Sequence, residues 1–434
     1  MRREAVREYT GSALWVLPFL AGNAAILLGL AVSQVEPAAG TLLARLEFQG
    51  TSAQARDLLV TITGTVVTVI ALVLGLSVVA LQLSSTQFSP RLLRNFLRDR
   101  PNQVVLSVFM ATFAYSAAGL YTVGVGPDAE DYPRVAVSGA IALLFVSLGG
   151  VVYFADHLSH SIQVDAIMER VEREALAVVR HLPVDVEMVP PAAPPTAQAV
   201  AARTSGYVVT AHPELLVPLA VRHGVSIALT RRVGEHVVAG ATLARIWAPS
   251  GEAGTMPDAR VFESALDAAV GIEFERTRQQ DAAIGIRQLV DVACKALSPA
   301  VNDPYTAVQA VDHLAVIFAE LARHPLGPKV SRAGDVVVVV PYRRFGEYLA
   351  TMCGLIRRYG SREPTVVVAL VRLLETVADV ARADWTRLHD VADQVRLVVA
   401  DAEREISQGA DLVQVRLAAD ALLRRIEAYR STAW

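Results

Sequence analysis

The polar and apolar positions divide this chain sharply near residue 155. Before it, four stretches carry no charged side chain: Ala13–Val35, Leu58–Ser89, Asn102–Pro127 and Val135–Ala155. A bilayer core takes roughly 20 apolar residues at about 1.5 Å of rise each, and every stretch meets that length. The pattern predicts membrane-spanning helices at 13–35, 58–83, 103–125 and 135–155. Buried helices of one soluble core would not supply four such runs so close together. The first run is longer than the apolar region of a signal peptide, and no small-residue cleavage site clearly follows it. It is expected to remain as a span.

After residue 155 the periods are those of a soluble protein. The stretch SIQVDAIMERVEREALAVVRHL reads as an amphipathic helix to about Leu182, placed to couple the membrane part to the cytoplasmic domain. Pro183, Pro190, Pro191, Pro194 and Pro195 make 183–200 a linker. Alternation between Ser205 and Trp247 predicts short strands. Within it, Gly234–Leu243 (GEHVVAGATL) resembles the turn and strand of biotinyl- or lipoyl-type barrel sandwiches. A carrier of that type needs a lysine at its hairpin tip. The chain's lysines are Lys295 and Lys329, both outside the stretch, so the resemblance implies a structural barrel with no swinging arm.

Residues 261–324 are helical by period, with a break at Ser298-Pro299. Val336–Val340 is an apolar run ending at Pro341 and reads as a buried strand. A helix opens around Arg343, Phe345 and Tyr348 and runs to about Arg358. Further helices are predicted over 364–383, 384–405 and 410–430. Val366–Val377 is strongly apolar, but Arg372 and Glu375 interrupt it, which suits a core helix better than a span. The predicted fold is therefore a polytopic α-helical membrane domain of four spans, followed by a soluble α+β cytoplasmic domain with a small β-barrel-like segment and helices. Its parts are 1–155, 156–200, 201–255 and 256–434.

Arginine sets the orientation. Arg2, Arg3 and Arg7 precede the first span, and Arg91, Arg94, Arg98 and Arg100 lie between the second and third. The loop before the fourth has Asp128, Glu130 and Asp131 against Arg134 alone. Positive loops stay in the cytoplasm, which places both termini inside and the 36–57 and 126–134 loops outside.

Composition sharpens this picture. The 434 residues are 53% hydrophobic and 19% charged, with a net charge of −3. Such a chain is too apolar for intrinsic disorder and lacks the basic excess of a protein that holds nucleic acid by charge. Only 19 charged residues fall in the first 155, so the deficit belongs to the membrane part. Two cysteines, Cys294 and Cys353, exclude a disulfide scaffold and suit a reducing compartment.

Three groups of residues could carry chemistry. In the second span, Thr61, Thr65 and Thr68 share one helical face, and Gly64, Ala71 and Gly75 share an adjacent one. Small and hydroxyl residues let membrane helices approach and hydrogen-bond. Two readings stand, helix packing and a pore or subunit interface lined by the threonines. No acidic or basic residue lies within a span, which argues against a proton-coupled transporter. Next, SSTQFSPRLLRNF follows the second span. Gln87, Arg91, Arg94 and Arg98 would lie at the lipid headgroups or ring the inner mouth of a pore. Third, Arg276, Gln280, Asp281, Asn302, Asp303 and Thr306 fall in the densest polar region. They read either as a site for a small ligand or ion, or as helix caps and salt bridges. Asn302-Asp303-Pro304 is itself a helix-start signal. Asp281, Gln288 and Asp291 fall on roughly one side of a helix. Asp156, His157 and His160 have metal-compatible spacing, but histidines at a membrane exit more often hydrogen-bond at the interface.

The pairing of SSTQFSPRLLRNF with RTRQQDAAIGIRQLVDVACKALSPAVNDPYTA resembles a family of predicted bacterial membrane proteins, domain of unknown function 2254. The resemblance covers about residues 10–425 and is most specific at SPAVNDPYTA. It implies a multi-span protein of the bacterial inner membrane and carries no activity.

No GxxxxGK[ST], GxGxxG after a strand, GxSxG, HExxH or CxxC is present. Arg387, His389 and Asp390 form no recognisable triad with a serine. The expectation is a protein without catalytic residues, metal or cofactor. Its partners would be the bilayer, further copies of itself and an unidentified small ion or ligand, with no nucleic acid. The leading reading is a homo-oligomeric protein of channel or transport type with a cytoplasmic domain for regulation or assembly. The alternative is a membrane-anchored sensor or scaffold that binds a small ligand or protein in that domain.

Overall fold

The computed structural model describes residues 14–35, 45–87, 100–123, 132–161, 163–249, 257–277 and 279–432. The chain forms two compact units, 1–166 and 167–434.

The first unit holds four helices: α1 (Val16–Val32), α2 (Ser52–Gln87), α3 (Arg100–Thr122) and α4 (Arg134–Ser161). Helices α2, α3 and α4 are long and apolar enough to cross a membrane, whereas α1 is a shorter apolar helix of 17 residues. Helix α3 is the least apolar of the three long helices and the most buried. The two facts belong together, because a helix enclosed by its neighbours faces little lipid and can carry Ser107, Thr112 and Ser116 inward.

Small residues bring the neighbours close. Gly22 and Gly29 of α1 meet Met110 and Ala118 of α3, and Ser33 at the end of α1 lies 3.2 Å, hydroxyl to hydroxyl, from Thr122 at the end of α3. The two helices thus run in the same direction. Helix α4 runs the opposite way: its Gly139 faces Tyr115 and its Gly150 faces Phe109. The start of α2 lies at the end of α3, with Leu59 against Gly119. The segment leading into α2 is tied to the start of α4, where Tyr132 donates to the Gly50 carbonyl and Ser138 to Leu46 O at 2.6 Å. Those two connecting segments therefore share one end of the bundle.

The second unit begins within α5 (Val164–Arg180), the predicted amphipathic helix. Then come β1 (Gln198–Ala201), β2 (Gly206–Ala211), α6 (Pro213–His223), β3 (Ser226–Leu229), β4 (His236–Val237), β5 (Thr242–Trp247), α7 (Arg260–Ala269) and β6 (Val270–Glu273). They are followed by α8 (Ala282–Ala296), α9 (Pro304–Arg323), β7 (Lys329–Ala333), β8 (Val336–Val340), α10 (Phe345–Gly360), α11 (Pro364–Val380), α12 (Trp385–Glu405) and α13 (Gly409–Thr432).

A five-stranded sheet has the order β1-β5-β3-β8-β7, and a three-stranded sheet the order β4-β2-β6. The valine run Val336–Val340 is β8, buried at every position, because it lies between β3, which it pairs in parallel, and β7. Leu216 of α6 and Phe262 and Leu266 of α7 pack into the same core as Ile227, Leu243, Ile246 and Val338. The segment 201–255, predicted as barrel-like, is not a unit of its own. Its strands are divided between the two sheets, and β6, β7 and β8, from later in the chain, complete them. Strands of two to six residues bury too little surface to stand without those partners.

Helix starts follow the local sequence. Asp281, Asp303 and Asp384 each cap a helix by accepting a backbone N–H of the first turn, from Ala283, Thr306 and Arg387 respectively. Pro304 and Pro364 occupy first-turn positions, where a missing N–H costs nothing.

Candidate functional site

Helix α2 presents two faces. Ala55, Leu59, Ile62, Val66, Val73 and Ala80 are buried. At about 100° per residue, Gly64, Thr68, Ala71 and Gly75 lie diametrically opposite, with Thr61 and Thr65 beside them. All six of these are exposed. A Cβ placed on Gly64 or Gly75 meets nothing within 4 Å among the described residues, so packing among them does not account for either glycine. Thr61 donates to Asp57 O at 2.7 Å and Thr68 to Gly64 O at 3.0 Å. The Thr65 hydroxyl has no partner among the described residues. Gln87 ends α2, while Arg91, Arg94 and Arg98 lie outside the described residues. At the end of α4, His160 Nδ1 lies 2.9 Å from Asp156 O and His157 stacks on Tyr153.

The six polar residues of the second unit do not converge. Arg276, Gln280 and Asp281 lie at the start of α8, whereas Asn302, Asp303 and Thr306 lie beyond its far end. A helix of 15 residues separates them, about 22 Å at 1.5 Å per residue. Each half of the motif caps a different helix.

At the first half, Asp281 is 4% exposed. Its Oδ2 accepts Arg276 Nε at 3.0 Å and Nη2 at 2.5 Å, and its Oδ1 accepts the Ala283 N–H at 3.1 Å. Gly234, at φ +89°, lies directly against this pair, and a Cβ there would overlap the Asp281 carboxylate. Gln280 Oε1 accepts the Ala211 N–H at 2.9 Å, which ties the approach to α8 onto β2. In the turn before β4, Arg232 donates to both Glu347 oxygens, at 2.7 and 2.6 Å, and pairs with Glu235 at 2.9 Å. Burial, and then the Asp281 carboxylate, push the Tyr348 hydroxyl above its ordinary range. Glu347 is held below the usual carboxyl value: burial opposes this, but the Arg232 guanidinium outweighs it. This is a closed network of paired charges that joins the β4 turn, α8 and α10.

At the second half, Asp303 Oδ2 accepts the Thr306 hydroxyl at 2.6 Å and Oδ1 the Thr306 N–H at 3.1 Å. The Thr306 hydroxyl is the main cause of the lowered Asp303 pKa. Asn302, at φ +51°, makes the turn out of α8, and the Asp303 N–H closes that turn on Ala296 O at 2.9 Å. Of the other polar residues of α8, Gln288 is buried and Asp291 faces Arg287 at 4.0 Å.

The profile of a family described as "Predicted membrane protein", domain of unknown function 2254, matches residues 11–376. The chain belongs to this family. Uncharacterized proteins of Mycobacterium tuberculosis and Mycobacterium bovis are 42% identical to it over 425 residues, covering 95% of this chain and 81% of theirs. No solved structure matches the chain. All six polar residues fall within the span of the family's profile, whereas α12 and α13 lie beyond its end.

Residues that the sequence did not group as a site line a cavity of about 310 Å³ between the start of α10 and the start of α12, among them Arg344, Phe345 and Asp390. In the sequence Asp390 stands out only beside His389, in a triad that lacks its serine. Its signal is spatial, since 344 and 390 come to line one cavity only when α10 and α12 pack.

Proposed function

We propose that this member of the predicted membrane protein family is a homo-oligomeric protein of channel or transport type. In this reading α1–α4 all span the inner membrane, both termini are cytoplasmic, and the second unit regulates or assembles the complex. The exposed face of α2 carries the proposal. A glycine costs a helix about 1 kcal/mol relative to alanine, and at Gly64 and Gly75 no close neighbour among the described residues repays it. Small residues on a lipid-exposed face let another helix approach closely, so a ring of copies meeting along α2 would bring Thr61, Thr65 and Thr68 to the subunit junctions. The shared direction of α1 and α3, opposed by α4, supports α1 as a fourth span. So does the meeting of the 45–51 and 132–138 segments at one end.

Reconstitution in liposomes tests the reading. Ion flux above that of empty liposomes is expected, altered by Thr65→Leu, from a particle that light scattering in nanodiscs sizes as an oligomer. A monomer removes the pore. An oligomer that shows no flux under varied voltage, tension and salt leaves assembly standing and removes the channel.

A further inference from the structure

The cavity between α10 and α12 has an apolar floor and two charged groups that form no ion pair among the described residues. Met188, Leu326 and Phe345 make the floor. Most of the charges around it are already in use. Arg387 donates to His324 O at 2.7 Å and to Ala322 O, pairs with Asp384 at 3.0 Å, and lies over the Phe345 ring. Glu347 is taken by Arg232. Two groups are left. Asp390 makes no hydrogen bond or ion pair among the described residues, although it is half-buried. The Arg344 guanidinium pairs with no carboxylate among the described residues; it donates to Met188 O at 3.4 Å.

An unpaired, partly desolvated carboxylate is a cost the fold carries unless something cationic meets it. The same holds, with the sign reversed, for the guanidinium. The absence of a side chain at Gly346 lets the Asp390 carboxylate lie against the first turn of α10, because a Cβ there would stand 2.7 Å from it. At about 310 Å³ the cavity is at the small end of ligand sites, which run from roughly 300 Å³ upward. A carboxylate and a guanidinium that form no ion pair among the described residues, together with an apolar floor, match a molecule with the opposite charges on an apolar body.

We propose that this cavity binds a small apolar α-amino acid, its ammonium group on Asp390, its carboxylate on Arg344 and its side chain over Met188, Leu326 and Phe345. The site stands independently of how α2 is covered.

The test is binding to the full-length protein in nanodiscs, followed by calorimetry and ligand-observed NMR. The probes are L-leucine and L-phenylalanine, with 3-methylbutylamine and 4-methylpentanoate as analogues lacking the carboxylate and the ammonium group. Saturable binding of at least one amino acid is expected, weakened about tenfold or more by Asp390→Asn and by Arg344→Gln, since each removes a charged hydrogen-bond partner. Both analogues should bind correspondingly less well. Melting temperatures of the two variants no lower than that of the parent separate lost binding from lost folding. The proposal is overturned if neither amino acid binds saturably at millimolar concentration. It is also overturned if 3-methylbutylamine binds as tightly as leucine and ignores Arg344→Gln, which would leave a simple amine site.

Discussion

Gly285 of α8 lies directly against Ala175 of α5: a Cβ built on Gly285 would stand 2.6 Å from the Ala175 Cβ and 3.4 Å from its Cα. The backbone of α8 therefore approaches α5 as closely as backbones can, and the glycine of the GIRQ motif is explained by packing. Gly285→Ala is expected to destabilise by about 1–3 kcal/mol, the cost of overpacking a filled site. Gly354 of α10 supplies the contrast, since a Cβ there meets nothing within 4 Å. Gly354→Ala should stabilise by about 0.4–1 kcal/mol through the lower entropy of the unfolded chain. Melting curves of the two variants should move in opposite directions.

The charge-free runs made the membrane helices legible, because no soluble-domain period imitates them, and Val336–Val340 announced a buried strand for the same reason. The helices from 345 to 432 were readable from their period and their caps. Partnership between strands was not. β3 and β8 pair across more than 100 residues, and nothing local in SIAL selects VVVVV as its neighbour. The polar residues 276–306 were legible as a constellation but not as a geometry. A helix start and a helix end both attract Asp and Asn, and only the length of α8 shows that the two halves point to different places.

The buried pair of Asp281 and Arg276 supports the joint between the β4 turn and α8. Asp281→Ala removes the cap of α8 and leaves Arg276, 26% exposed as a side chain, without its carboxylate. Breaking a buried pair costs roughly 3–5 kcal/mol, and partial exposure of Arg276 favours the lower end. Replacing Asp303 with alanine removes only a partly buried cap, worth about 1 kcal/mol. Denaturant unfolding should rank the two variants in that order, and a larger loss at Asp303 would argue for a role beyond capping.

Two carboxylates of the second unit should respond to pH with opposite signs. Burial works against the ionised form of Glu347, but Arg232 holds its pKa below the ordinary value. Its contribution is present above that ordinary value and is lost as pH falls through the lowered one. Burial raises Asp390 above its ordinary value, so its contribution is present below the ordinary value and lost as pH rises through the raised one. At neutral pH, Glu347→Gln should therefore lower the melting temperature and Asp390→Asn should hold or raise it. Melting temperatures between pH 4 and pH 8 read both signs.

Within the first unit, Thr112 of α3 and Ser147 of α4 face each other at 2.8 Å, hydroxyl to hydroxyl, both buried. Hydrogen bonds between membrane helices average about 0.6 kcal/mol in double-mutant cycles. Thr112→Val, Ser147→Ala and the double variant should give a coupling of that size in detergent unfolding. No coupling would mean that the contact between α3 and α4 rests on apolar packing such as that of Phe109, Tyr115, Val137 and Ala140.

The two cysteines should be silent toward thiol reagents. Burial pushes both thiols up to about 12, with Asp291 adding to the effect at Cys294. The thiolate is the reactive form, so its fraction near pH 8 is on the order of one in ten thousand by the tenfold-per-unit rule. Maleimide should label neither residue in the folded protein and both after denaturation. That silence makes a practical tool, because a single cysteine introduced at the exposed Ala71 would then report on α2 without removing the native pair. Disulfide formation between copies at position 71 is the result that the α2 junction requires, and a thiol there that is neither cross-linked nor labelled in the folded protein would place lipid on that face.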